Sequence, residues 1–253
     1  MNYNWNWGIL FQTASDGSGT YLTYLVVGLG WTLATALAAW VLALSVGAVV
    51  GTLRTTPTPW MGRFCYAYVE IFRNVPLIVQ MFLWFFVLPE LLPEALGSAM
   101  KQMPPPWGSY VPAVLCLGIY TSVRVAEQVR AGIQSLPRGQ RMAGTALGLT
   151  LPQTYRHVIL PMAVRIVLPP LTSEFLNVIK NSSVALTIGL MELTGRARSM
   201  QEFTFQVFEA FAAATVIYLL TNLVVVLGMR YLERRVRVPG LISASGDAQM
   251  AGH

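Results

Sequence analysis

Seven ionisable side chains stand inside or beside long apolar runs: Glu70, Arg73, Arg124, Glu127, Arg130, Glu174 and Lys180. A charge at the centre of a bilayer costs on the order of 3 kcal/mol by insertion scales, so each of these must face protein or water and find a partner. Arg124, Glu127 and Arg130 recur every three residues, which on a helix makes an alternating row along one face. For Glu127 and Arg130 a structural ion-pair ladder stands beside a direct functional role. Arg124 differs in depth: counted from Tyr110 at about 1.5 Å per residue, it lies roughly 20 Å into an apolar layer about 30 Å thick. Its flat donor fork suits a carboxylate on a passing ligand. Lys180 precedes Asn181, Ser182 and Ser183, where a helix would relax and free backbone groups to face a ligand. For both cations the alternative is gating or helix pairing. Catalytic chemistry finds no support, because no nucleophile, histidine pair or carboxylate pair has catalytic spacing. His157 lies in a polar loop and His253 ends the chain, and Cys65 and Cys116 sit in apolar stretches without metal-ligand spacing, as packing residues.

The elements that must carry these charges belong to a membrane. Of 253 residues, 11% are charged and 55% hydrophobic, and the mean hydropathy is +0.55, which excludes an ordinary soluble domain. The net charge of +6 does not point to nucleic acid, because the cations gather at the ends of apolar segments. The pattern predicts an all-α polytopic membrane protein with five spans, at about 21–53, 64–88, 110–134, 166–193 and 210–229. The fourth is expected to be interrupted at Pro169 and Pro170 and broken near Ser182. Residues 1–20 read as an interfacial segment with no removable signal peptide, and 240–253 as a disordered tail. Gly47 and Gly51 form a GxxxG, read as local close packing. Arg54, Arg63, Arg138, Arg141, Arg156, Arg165, Arg230, Arg234, Arg235 and Arg237 fall on one side against Lys101, Arg196 and Arg198 on the other. The positive-inside rule then puts the N-terminus outside and the C-terminus in the cytoplasm. There is no internal repeat and no GxxxxGK[ST] phosphate loop, so this chain cannot be an ATP motor by that route.

Residues 136–161 form a basic, polar interruption, LPRGQRMAGTALGLTLPQTYRHVILP. They are expected to make two short helices joined by a bend, with one surface kept small by Ala143, Gly144, Ala146 and Gly148 so that another backbone can approach. The second helix is expected to start at a capping box of Thr150 and Gln153 and to stop at Pro161.

Gly139-Gln140, Gly148 and Ile159-Leu160-Pro161 resemble the cytoplasmic EAA loop of ABC importer membrane subunits, with Met142-Ala143-Gly144 where that family usually has Glu-Ala-Ala. EIFRNVPLIVQ (70–80), AEQVRAGIQSLPRGQ (126–140) and PPLTSEFLNVIKNSSVALTIG (169–189) are similar to the polar amino-acid branch of these permeases, most of all to permease subunits of glutamate/aspartate importers. The resemblance implies a type I ABC importer permease fold in a bacterial inner membrane. In it, Gly139, Gln140, Met142, Ala143, Gly144, Ala146, Leu147, Gly148 and Pro161 would couple to ATPase subunits, and Arg124, Glu127, Glu174, Lys180 and Arg73 would be candidates for the substrate path. It implies a second permease copy or, by preference, a sister permease, a periplasmic amino-acid-binding protein, and lipid around the spans. No cofactor would bind this chain, since ATP would bind the partner ATPase. Glutamine, histidine and arginine stand as alternative substrates, and an ion-coupled carrier as the alternative class; five spans without an inverted repeat weigh against the carrier.

Overall fold

A computed structural model describes residues 3–236, apart from the side chains of Arg138, Arg141 and Val236. The tail expected over 240–253 lies outside the described residues. The helices are α1 (Tyr21–Leu53), α2 (Pro59–Asn74), α3 (Leu77–Leu91), α4 (Glu94–Lys101), α5 (Trp107–Gln134), α6 (Arg138–Ala146), α7 (Leu151–Ile188), α8 (Leu193–Thr204) and α9 (Val207–Val236). The helical run of α7 takes in a π turn at Tyr155–Ile159 and a 3-10 stretch at Ser182–Ile188. Four helices, α1, α5, α7 and α9, are long and apolar enough to cross a membrane, and α2 with α3 makes a bent fifth.

α1 and α5 run parallel, pack along most of their lengths and form the centre. Gly47 is what lets them approach: a Cβ there would meet the Val125 side chain at 2.6 Å and the Ser122 carbonyl at 2.7 Å. With Gly51 against Ala126 and Val129, the GxxxG is the internal close packing the sequence suggested. Beside this pair, Ala36, Ala39, Met81, Cys116, Leu117, Val178 and Ile179 close a core shared by α1, α3, α5 and α7. Both cysteines are free and buried.

The second span is not one helix. Between α2 and α3 the chain bends by 102° at Val75-Pro76, because Pro76 has no N–H for the helix and forces the preceding residue out of the α region; Val75 is extended at φ −98°, ψ 128°. The fourth span departs in the opposite sense. Its helix runs through Pro161, Pro169 and Pro170, from Leu160 to Asn181, where sequence rules expected a stop and an interruption. The π turn ahead of Pro161 has already left the i→i−4 pattern, and Pro169 and Pro170 are carried by a helix that buries Ala163, Val167, Thr172, Val178 and Ile179 against its neighbours. The expected break does occur at Ser182, as the turn to 3-10 geometry, ending at Gly189 in the left-handed region (φ 84°).

The third and fifth spans begin three residues earlier than expected, at Trp107 and Val207. A helix the sequence did not announce, α8, lies between Leu193 and Thr204. Near the N-terminus, the Ser18 hydroxyl and amide donate to Asp16 at 2.6 and 3.0 Å, which holds that carboxyl below the usual carboxylate range.

Candidate functional site

Arg54, Glu127 and Arg130 lie at the end of the bundle where α1 and α5 finish, called here the basic end. The alternating row on α5 divides there between two neighbours. Glu127 turns to α1 and pairs with Arg54, and accepts two further bonds from Arg130 at 2.8 and 2.9 Å. Arg130 also donates to Gln134 at 2.7 Å. This is a closed, multiply bonded cluster, and it ties α1 to α5. Arg73 pairs within its own helix with Glu70 at 3.0 Å, and Asn74 donates to the same carboxylate.

Arg124 takes no part in that ladder. It reaches across to Glu174 on α7, with 3.6 Å between guanidinium nitrogen and carboxylate oxygen. That separation is an ion pair but exceeds a good hydrogen bond, and Glu174 Oε2 has no hydrogen-bond partner among the described residues although it is shielded from solvent. Arg124 also lies over the Tyr120 ring, 5.3 Å from its centroid, and donates to the Tyr120 hydroxyl at 3.2 Å. Its side chain is 43% exposed against 13% for Glu174. The pair therefore has a cation open on one side and a carboxylate whose hydrogen-bonding capacity is unfilled, an arrangement into which a zwitterion or anion can insert. Lys180 is exposed in the last turn before the 3-10 stretch, and its ammonium makes no ion pair among the described residues.

Beyond the basic end, α6 and the start of α7 form the bent pair of helices expected from the loop sequence. The capping box is present: Thr150 N donates to Gln153 Oε1 at 2.8 Å. Gly148 is the residue that stops α6. It sits at φ +72°, with its N–H on the Thr145 carbonyl at 3.0 Å and the Leu149 N–H on the Gly144 carbonyl at 3.1 Å, the paired bonds of a Schellman stop. The small residues do not share one surface. Gly144 is buried, and a Cβ there would meet Thr154 Cγ2 at 2.7 Å, so it serves the packing of α6 on α7. Gly139 and Gly148 look onto open space, and Ala143 and Ala146 are exposed, beside Met142 at 68% and Leu147 at 78% exposure. Gln140 is half-buried, and its Oε1 has no partner among the described residues. Tyr155 ties this segment to the end of α1, donating to the Thr55 carbonyl at 2.8 Å.

Two buried carboxylates, Glu192 and Glu209, escaped the sequence reading. Glu192 is fully buried and caps α8, accepting from Gly195 N at 2.8 Å and Thr194 N at 3.0 Å, from Tyr218 at 3.0 Å and from Thr32 at 3.3 Å. It joins α1, α8 and α9. The signal was a single Glu interrupting the apolar run after Val184, which membrane energetics marks for attention whatever its helix context.

Comparison with known proteins agrees with this architecture. The chain matches the binding-protein-dependent transport system inner membrane component family over residues 43–238. It is 47% identical to the glutamate/aspartate import permease protein GltJ of Escherichia coli K12, over 95% of this chain and 98% of that one. It is 35% identical to the probable glutamine ABC transporter permease protein GlnM of Bacillus subtilis 168, over 76% and 83%. Among solved structures, an amino acid ABC transporter crystallised with histidines superposes with a TM-score of 0.72 at 29% identity, covering 85% of this chain and 95% of that one. The inward-facing MetNI methionine transporter superposes with the same TM-score at 20% identity, over 86% and 98%, a likeness of fold. The relatives are permeases, transport components rather than enzymes. With a helical bundle of four long apolar helices and a bent fifth, this chain belongs to the family of binding-protein-dependent transport system inner membrane components, the permease subunits of ABC transporters.

Proposed function

We propose that this permease forms the membrane path of an ATP-driven importer for an acidic amino acid, glutamate or aspartate. The observation that carries the proposal is the Arg124–Glu174 pair: an open guanidinium held only loosely by a carboxylate with an unfilled acceptor. An incoming side-chain carboxylate would take the fork of Arg124, while Glu174 would accept from the ligand's ammonium. Support comes from the 47% identity to a permease named for glutamate and aspartate, against 35% and 33% for two named for glutamine. Lys180 and the Glu70–Arg73 pair stand as further path candidates, and Glu127 becomes a structural residue because Arg54 and Arg130 already occupy it.

In this proposal the chain crosses the inner membrane five times, N-terminus outside, with the basic end in the cytoplasm. The exposed face of 139–148, carrying Gly139, Met142, Ala143, Ala146, Leu147 and Gly148, docks on an ATPase subunit that binds the ATP. Gly144 acts behind that face, packed on Thr154, and Pro161 is exposed on the following helix. A second permease, by preference a sister chain, completes the path, and a periplasmic binding protein delivers the ligand. The test is ATP-driven uptake of labelled glutamate by the chain assembled with its partners, competed in turn by aspartate, glutamine, histidine and arginine. Strong competition by aspartate alone is the expected result; stronger competition by glutamine or a basic amino acid would overturn the acidic assignment.

A further inference from the structure

At the basic end, an open depression of about 410 Å³ lies between the end of α1, the start of α2 and the last turns of α5, lined among others by Arg54, Arg63, Tyr66, Arg130 and Gln134. Three guanidinium groups border it, and the carboxylate nearest to them, Glu127, is already shared between Arg54 and Arg130. The local balance is therefore three cations against one anion. Arg63 makes no ion pair or hydrogen bond among the described residues, although it lines the same depression. Arg54 is held firmly, with an 11% exposed side chain and its guanidinium 5.7 Å from the Tyr66 ring centroid. The N-terminus of α2, a 16-residue helix with no side-chain cap, opens at the same place, adding the positive end of a helix dipole.

We infer that this depression binds the phosphodiester headgroup of an anionic phospholipid. A phosphate group is the ligand that several convergent arginines and a bare helix N-terminus recognise together. A lipid, rather than a free phosphate, is indicated by its level and its rim. It lies where α1 and α5 end, at the boundary of the apolar layer, and α2 presents Trp60 and Phe64 there, 69% and 72% exposed, one turn apart. Aromatic side chains at that level sit among headgroups, and acyl chains would continue along the apolar surface of α2. The inference does not depend on which amino acid the permease carries.

The test uses the full chain, co-purified with its transporter partners, in vesicles of phosphatidylethanolamine with phosphatidylglycerol. Spin-labelled phosphatidylglycerol and spin-labelled phosphatidylcholine are compared for the fraction immobilised on the protein. The expected result is a preference for phosphatidylglycerol that falls about fivefold in Arg63→Gln, the factor given by about 1 kcal/mol per basic residue at an anionic lipid surface, and that Arg63→Lys largely keeps. Arg63 is chosen because its loss leaves the Arg54–Glu127–Arg130 cluster intact. Equal immobilisation of the two lipids by the wild type, or an unchanged preference in Arg63→Gln, would overturn the site. Displacement of the labelled lipid by inorganic phosphate, beyond that caused by chloride at equal ionic strength, would reassign it to a free phosphate anion and overturn the lipid.

Discussion

The side-chain amide of Gln80 donates to the backbone carbonyl of Phe72 at 2.8 Å, the carbonyl that a residue other than proline at position 76 would have satisfied through its own N–H. The same amide donates to the Val75 carbonyl at 3.0 Å, and Gln80 is 2% exposed. One buried side chain thus repairs the hydrogen bonding of the 102° bend. In Gln80→Leu both carbonyls lose their donor inside an apolar setting, at a cost of about 2 kcal/mol. We expect a clearly lowered melting temperature in purified protein; a melting curve superimposable on the wild type would show that another group serves the bend.

The Arg124–Glu174 pair predicts a selective defect. Arg124→Ala removes the only partner within ion-pair distance of Glu174 among the described residues, and the fork available to a ligand carboxylate. Uptake of acidic amino acids should fall at least about tenfold, the factor for about 1.4 kcal/mol, a modest value for a charge-assisted hydrogen bond. Any residual transport of neutral amino acids should change less. An equal loss for every substrate would assign Arg124 to structure alone.

Gly148 can be tested with two nearly isosteric substitutions. Its left-handed backbone is tolerated better by Asn and Asp than by other side chains, and a Cβ there meets open space. Gly148→Asn should therefore keep the Schellman stop and much of the uptake. Gly148→Asp, which adds a charge to the proposed docking face, should abolish ATP-driven uptake while membrane insertion stays normal. Uptake in Gly148→Asp equal to that in Gly148→Asn would remove the docking role.

Glu192 predicts a defect of folding rather than selectivity. Glu192→Ala leaves two helix-start amides and two hydroxyls without their shared acceptor, a loss of about 3 kcal/mol. Thermal stability and yield should fall, with Glu192→Gln intermediate. Stability unchanged in Glu192→Ala would mean that α8 is held by packing, through Leu193, Ala197 and Met200.

These residues also mark what the sequence could disclose. The apolar runs, the capping box at Thr150 and the internal use of Gly47 and Gly51 were legible because each depends on a local pattern or on hydropathy. The prolines were not, because whether a proline bends or rides in a helix depends on what its neighbours can repair. Pro76 bends the chain sharply with Gln80 as its brace, whereas Pro161, Pro169 and Pro170 stay in a helix clasped by α5. The ladder on α5 was legible in its Glu127–Arg130 pair, but the further partners were not, since Arg54 and Glu174 reach it from helices 73 and 50 positions away in the chain. Glu192 was hidden for the same reason: its donors Thr32 and Tyr218 lie on two other helices.

The unbroken course of α7 from the capping box to Glu174 has a mechanical meaning. Those 24 steps span about 36 Å of helix, and the run is clasped near Val167, which packs on Gly132 of α5. About that fulcrum the loop arm is roughly 26 Å and the arm to Glu174 roughly 10 Å. A tilt of about 10° would then carry Thr150 through about 4.5 Å and Glu174 through about 2 Å, by the same helix geometry. Such a lever would trade a broad movement at the loop for a short one at Glu174, and a shift of that size would part an ion pair that already stands at 3.6 Å.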